Sequence, residues 1–126
     1  MPSTIMIVDD ELHMVELEKA ILEADGFKTI TASNGDEALK ILQKAKPDLV
    51  ILDMMMPGMS GREVCEKIRK NPKTKNLRVI FVTVARFSEI GKDNLKDMKV
   101  LDYVTKPFGN DDLVFRVKKA LATTTK

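Results

Sequence analysis

The sequence has no tryptophan and only one tyrosine, one histidine and one cysteine in 126 residues. A single thiol, Cys65, excludes an internal disulfide and fits a reducing compartment, so a cytoplasmic setting is expected. No apolar run approaches bilayer-spanning length, and Met1-Pro2-Ser3-Thr4 lacks the basic start of a signal peptide. No membrane partner is therefore expected. Charge of one sign is also missing. The net charge is +2 with acids and lysines interspersed, which gives no case for direct binding to nucleic acid. Internal repeats are absent, and residues 119–126 are expected to be a frayed tail or linker.

What is present suits one globular domain over 1–126, with 44% hydrophobic and 32% charged residues. The chain centres on Val50-Ile51-Leu52-Asp53-Met54-Met55-Met56-Pro57-Gly58. With Leu49 before it, its apolar start reads as a buried parallel strand over Leu49–Leu52, with Asp53 at the tip and Pro57-Gly58 turning the chain away. Ile5–Val8, Phe27–Ala32, Leu77–Val82 and Val100–Val104 read as four further strands. Helical spacing fills the intervals. Leu12, Val15, Ala20, Ile21 and Ala24 mark a first helix ended by Gly26. Asn34 and Glu37 resemble a capping box for a second helix that stops at Pro47. Gly61–Lys70 is a third and Ser88–Met98 a fourth. Asn110 is expected to cap the last, with Leu113, Val114, Val117 and Leu121 as its stripe. Five alternations of strand and helix predict an α/β fold: a doubly wound five-stranded parallel sheet with helices on both faces.

In such a sheet the C-terminal strand ends share one edge, where ligands bind. Asp9, Asp10, Asp53, Thr83 and Lys106 all fall there. Carboxylates crowded at ~4 Å repel by about 4 kcal/mol per pair at an effective dielectric near 20. Lys106 and a bound divalent cation are the two candidates to offset this, and an all-oxygen set favours Mg²⁺ or Mn²⁺. A cation on Asp10 and Asp53 leaves room for a phosphoryl group. Lys106 would neutralise its oxygens and Thr83 would donate to one of them.

Four stretches, Ile5–Glu11, Asp53–Gly61, Val82-Thr83 and Asp102–Phe108, together resemble the receiver domain of two-component response regulators, in order and spacing along nearly the whole chain. The resemblance implies a flavodoxin-like sheet of order 2-1-3-4-5. It implies that Asp53 accepts a phosphoryl group from a sensor histidine kinase, a histidine phosphotransfer protein or a small donor such as acetyl phosphate. It also implies Mg²⁺ held by Asp10, Asp53 and the main-chain carbonyl of Met55, with Asp9 acting through water. Lys106 would pair with the phosphoryl oxygens through a strand end closed by a cis Lys106-Pro107 bond. Thr83 and Tyr103 would form the switch, relaying to the face built from the fourth helix, the fifth strand and the last helix. Such a module signals to a downstream protein target or an output domain; it assists its own phosphorylation and is not otherwise an enzyme.

Departures from the family pattern carry expectations of their own. Val84 replaces a small residue after Thr83, and is expected to narrow access to Asp53 and restrain Tyr103. Met55 and Ala85 cannot orient an attacking water, so burial should set the phosphoryl lifetime. Lys99-Val100 replaces Gly-Ala, so the fourth helix should end irregularly.

Two rival readings exist. A phosphohydrolase with an aspartate nucleophile needs an acid two residues on, where Met55 stands. A degenerate receiver serving as a scaffold would lack the complete acid–lysine set. Met54, Met55, Met56 and Met59 have no Cys or His cluster beside them and read as packing, not copper ligation. Cys65 reads as structural, and His13, Lys118 and Lys119 as solvated.

Overall fold

The computed structural model describes residues 2–84 and 98–123. Its elements are β1 (Thr4–Val8), α1 (Leu12–Ala24), β2 (Lys28–Ala32), α2 (Gly35–Leu42), β3 (Leu49–Leu52), α3 (Gly61–Lys70), β4 (Arg78–Thr83), β5 (Asp102–Thr105) and α4 (Asn110–Leu121). The strands form one parallel sheet in the order β2-β1-β3-β4-β5. The fourth helix expected over 88–98 lies outside the described residues, apart from the buried Met98.

Strand alternation sorts the core into two layers. Met6, Val8, Val50, Leu52, Val79 and Phe81 face α2 and α3, where Ala38, Leu42, Val64, Cys65 and Ile68 meet them. Ile5, Ile7, Leu49, Ile51, Ile80 and Val82 face α1 and α4, packing with Val15, Leu22, Leu113 and Val117. Burial of one such large side chain contributes roughly 1.5–3 kcal/mol. β3 is buried along its whole length, as a strand covered on both faces must be.

Local chemistry explains most boundaries. Gly26 adopts φ +93°, and its N–H and that of Phe27 bond back to the Glu23 and Leu22 carbonyls, closing α1. Asn34 Oδ1 accepts from the Glu37 N–H at 2.8 Å, but Glu37 returns its bond to the Ser33 N–H, one residue before the expected partner. Ser60 and Glu63 make the full reciprocal box at the start of α3.

Three expectations need correction. The α1 stripe is Val15, Glu18 and Leu22, while Leu12 is 67% exposed and Ala20 and Ala24 are also exposed. α4 is preceded by Gly109 with no side-chain cap, so Asn110 is its first helical residue, and Ala120 joins Leu113 and Val117 in its buried face. β5 begins at Asp102, not Val100, because the chain before it forms a turn. Lys99 there has φ +55°, a left-handed conformation that favours glycine. Arg69 holds that turn: its guanidinium donates to the carbonyls of Met98 at 2.7 Å and Lys99 at 3.1 Å, and to those of Lys75 and Leu77 at 3.1 and 2.6 Å.

Candidate functional site

Four parallel strands end together at the site. The Asp53 N–H donates to the Val8 carbonyl at 3.0 Å, which sets the β3 tip beside that of β1. The Lys106 N–H donates to the Thr83 carbonyl at 2.9 Å, fixing the β5 exit beside the end of β4. The Lys106-Pro107 peptide is cis. Chain folding thus gathers Asp9, Asp10, Asp53, Thr83 and Lys106 at one edge.

The Asp53 backbone is held from outside as well. Gly61, the first residue of α3, donates its N–H to the Met54 carbonyl at 3.0 Å. A Cβ on Gly61 would lie 2.1 Å from the Asp53 carbonyl oxygen, so only glycine lets α3 approach this closely. The sequence reading used Gly61 only as a helix boundary and as the end of the receiver-like stretch Asp53–Gly61, with no packing role. Its position eight residues beyond Asp53, after the Pro57-Gly58 turn, was the available signal.

Lys106 Nζ lies 2.6 Å from Asp9 Oδ2 and 3.4 Å from Asp53 Oδ2. All three side chains are at most 7% exposed. Asp53 Oδ1 accepts from the Met55 N–H at 3.0 Å, and Asp9 Oδ1 from the Glu11 N–H at 2.9 Å. Burial raises the Asp53 pKa above the ordinary carboxylate value; the Thr83 hydroxyl, the Lys106 charge and the Met55 amide oppose that rise, and the Asp9 charge adds to it. Burial works against the Lys106 ammonium, yet its bond to Asp9 and the charges of Asp53, Asp9 and Glu18 outweigh it, so its pKa is raised. Lys106 is therefore protonated at neutral pH.

Asp10 is exposed, yet one carboxylate oxygen each from Asp9, Asp10 and Asp53 lie within 4.8 Å of one another. This all-oxygen set suits a hard divalent cation. Thr83 is fully buried and bonds Asp53. Tyr103 is half-buried, pairs in register with Phe81 and packs against the α2/α3 layer. The Met55 side chain is exposed. Val84 is also exposed and lines a depression of about 260 Å³ with Glu11, Met14, Leu17, Lys106, Pro107 and Phe108. Ala85 lies outside the described residues. Cys65, Met54 and Met56 are buried and His13 is exposed, as expected from packing and helix position.

Sequence reasoning missed Glu18. It is 1% exposed on α1, with Oε2 unpartnered among the described residues. A charged residue inside an apolar stripe was the only available signal.

The response regulator receiver domain model matches residues 5–118. The chain is 43% identical over 117 residues to the phosphate regulon transcriptional regulatory protein PhoB of Rhizobium meliloti, covering 93% of this chain and 51% of that protein. It is 40% identical over 121 residues to the alkaline phosphatase synthesis transcriptional regulatory protein PhoP of Bacillus subtilis, covering 96% and 49%. The chain thus spans about half the length of these curated relatives. Among solved structures, the chemotaxis protein CheY4 of Vibrio cholerae superposes with a TM-score of 0.89 at 27% identity, covering 95% of this chain and 99% of that one. The response regulator TrrA of Thermotoga maritima, solved in complex with Mg²⁺ and BeF, gives a TM-score of 0.81 at 42% identity, covering 94% and 98%. No helix among the described residues is long and apolar enough to cross a membrane. With a family model matching all but its two ends, the chain belongs to the response regulator receiver domains.

Proposed function

We propose that residues 1–126 act as a single phosphoryl-accepting switch of a two-component phosphorelay, with Asp53 as the acceptor. The observation that carries this reading is a buried carboxylate at the central strand tip, 3.4 Å from a buried ammonium and beside two further acids. In the transfer, an Asp53 oxygen forms a bond to phosphorus as the bond from phosphorus to the donor breaks. The donor is a phosphohistidine of a sensor kinase or phosphotransfer protein, or an acyl phosphate. Lys106 balances charge on the transferred oxygens, and the Thr83 hydroxyl donates to one of them. Asp10, Asp53 and the Met55 carbonyl would hold Mg²⁺, or Mn²⁺, with Asp9 acting through water. Such an ion supplies charge neutralisation for the incoming group.

Phosphorylation adds negative charge and three acceptor oxygens. In our reading Thr83 shifts toward them and Tyr103 turns inward, altering the surface around β5 and α4. The depression lined by Leu17, Val84 and Phe108 offers an approaching donor an apolar footing beside Lys106. Output passes to a separate protein target or a joined output domain; no direct contact with nucleic acid or membrane is proposed. The module assists its own phosphorylation and dephosphorylation and turns over no other substrate. The setting is cytoplasmic, a reading supported by the single buried thiol.

Phosphotransfer from candidate histidine kinases tests this. The reading requires one phosphoryl group on the native protein and none on Asp53→Asn. Steady release of phosphate from a phosphomonoester would instead favour a hydrolase.

A further inference from the structure

The near-neutral net charge and the general mixing of acids with lysines hide a local asymmetry. Residues 40–47 carry three lysines, and residues 67–78 carry four lysines and two arginines, with no acid in either stretch. The two stretches meet just before the starts of β3 and β4, at the sheet edge opposite the acid–lysine pocket. Helix ends account for part of this charge. Lys40, Lys67 and Lys70 lie in the last turns of α2 and α3, where cations offset the helix dipole. Arg69 is engaged by four carbonyls, and Arg78 by that of Thr123 at 2.9 Å. Lys44, Lys46, Lys73 and Lys75 lie beyond both helices. All four are exposed, and none is in an ion pair among the described residues. The adjoining acid, Asp48, accepts from the Thr4 N–H at 2.8 Å.

Between the two stretches is a cavity of about 330 Å³, larger than the depression of about 260 Å³ beside Lys106. Leu42 and Pro47, both buried, line it with the half-buried Ala45 and Leu77, so its lining is largely apolar. Lys46 comes from one wall and Lys73 from the other. An apolar cavity flanked by cations suits an occupant of the reverse pattern, an apolar anchor flanked by acids. We propose that this edge is a second docking surface, for an acidic segment of a partner protein. One large apolar side chain of that segment fills the cavity, and its carboxylates meet Lys44, Lys46, Lys73 and Lys75. A single small anion would leave most of these lysines unmatched. A nucleic acid duplex would meet the lysines and leave the cavity unfilled. The surface lies at the far edge of the sheet from Asp53 and does not rest on the phosphoacceptor reading.

A fluorescein-labelled peptide of aspartates and glutamates around one central phenylalanine, titrated with the whole chain by anisotropy, tests this. Binding should weaken about tenfold when that phenylalanine becomes alanine, because the ring loses its burial. It should weaken by about tenfold again in Lys46→Glu/Lys73→Glu, and more salt should weaken it in the native protein. Lys19→Glu, exposed on α1, should bind as the native protein does. In ¹⁵N-labelled protein the amides of Gln43, Ala45, Lys46, Thr74 and Leu77 should move on binding. If circular dichroism shows Lys46→Glu/Lys73→Glu unfolded, Lys46→Gln/Lys73→Gln provides the same comparison. No binding up to about 1 mM peptide overturns the inference. Equal binding of the alanine peptide, or equal binding by the charge-changed protein, also overturns it. So does movement of these amides with duplex DNA or phosphatidylglycerol vesicles while the peptide leaves them still.

Discussion

Among the described residues, the helices on each face of the sheet bury one protic side chain, and the two differ in what surrounds them. On the α2/α3 face, Cys65 is fully buried and its thiol pKa is pushed by burial to about 11, so it stays neutral at physiological pH. On the α1/α4 face, Glu18 is equally dry, but it lies under the influence of Asp9, Asp53 and Lys106 and crosses its midpoint near 8. Arg69 and Glu66 bear on Cys65 in opposite senses from its own helix, so that layer is silent only toward the charged edge, whereas the other layer, through Glu18, feels that edge. Apolar burial stabilises both, but only the second pairs that stability with the protonation state of the site.

Substitutions can break or sharpen this contrast. The largest expected effect is that of Glu18→Leu. The folded-state value lies above the unfolded 4.5, so ionisation penalises the fold increasingly from pH 4.5 to about 8 and steadily above. Glu18→Leu should therefore stabilise the protein by an amount that grows across that window, with a ceiling of about 5 kcal/mol. Denaturant unfolding at several pH values measures it; a gain independent of pH would erase the contrast.

Lys106→Met comes next. Losing the ammonium leaves Asp9 and Asp53 facing each other, and should cost about 3–5 kcal/mol at neutral pH. The loss should shrink on acidification, as Asp53, with its raised pKa, takes up a proton. Ile68→Ala on the silent face should cost roughly 2–4 kcal/mol and show no such pH dependence, since only volume is lost there. Smallest is Ser60→Ala, which removes half of the box starting α3 and should cost about 1 kcal/mol by the same unfolding assay.

The residues showed the silent face more fully than the responsive one. Leu49–Leu52 and Gly61–Lys70 were readable to the residue, because an unbroken apolar run and a strong helical stripe each leave one interpretation. The acids, Thr83 and Lys106 were readable as strand tips, and a parallel sheet must bring such tips to one edge. The inward phase of α1 was not, because Glu18 occupies a place that pattern reading assigns to an apolar residue. Nor was the start of β5, where Arg69 takes carbonyls from a turn that the run Val100–Val104 disguised as strand. Both misses arise from contacts between segments far apart in sequence, which no local pattern encodes.

The central claim is that one carboxylate in this crowded pocket accepts a phosphoryl group when a divalent ion helps balance its charge. Intact-mass measurement after incubation with acetyl phosphate, with and without Mg²⁺, followed by peptide mapping, tests it most directly. The account predicts a single phosphoryl group, located on Asp53, dependent on Mg²⁺ and absent from Asp53→Asn. Modification at another residue, or an Asp53 left unmodified at saturating Mg²⁺, would contradict it.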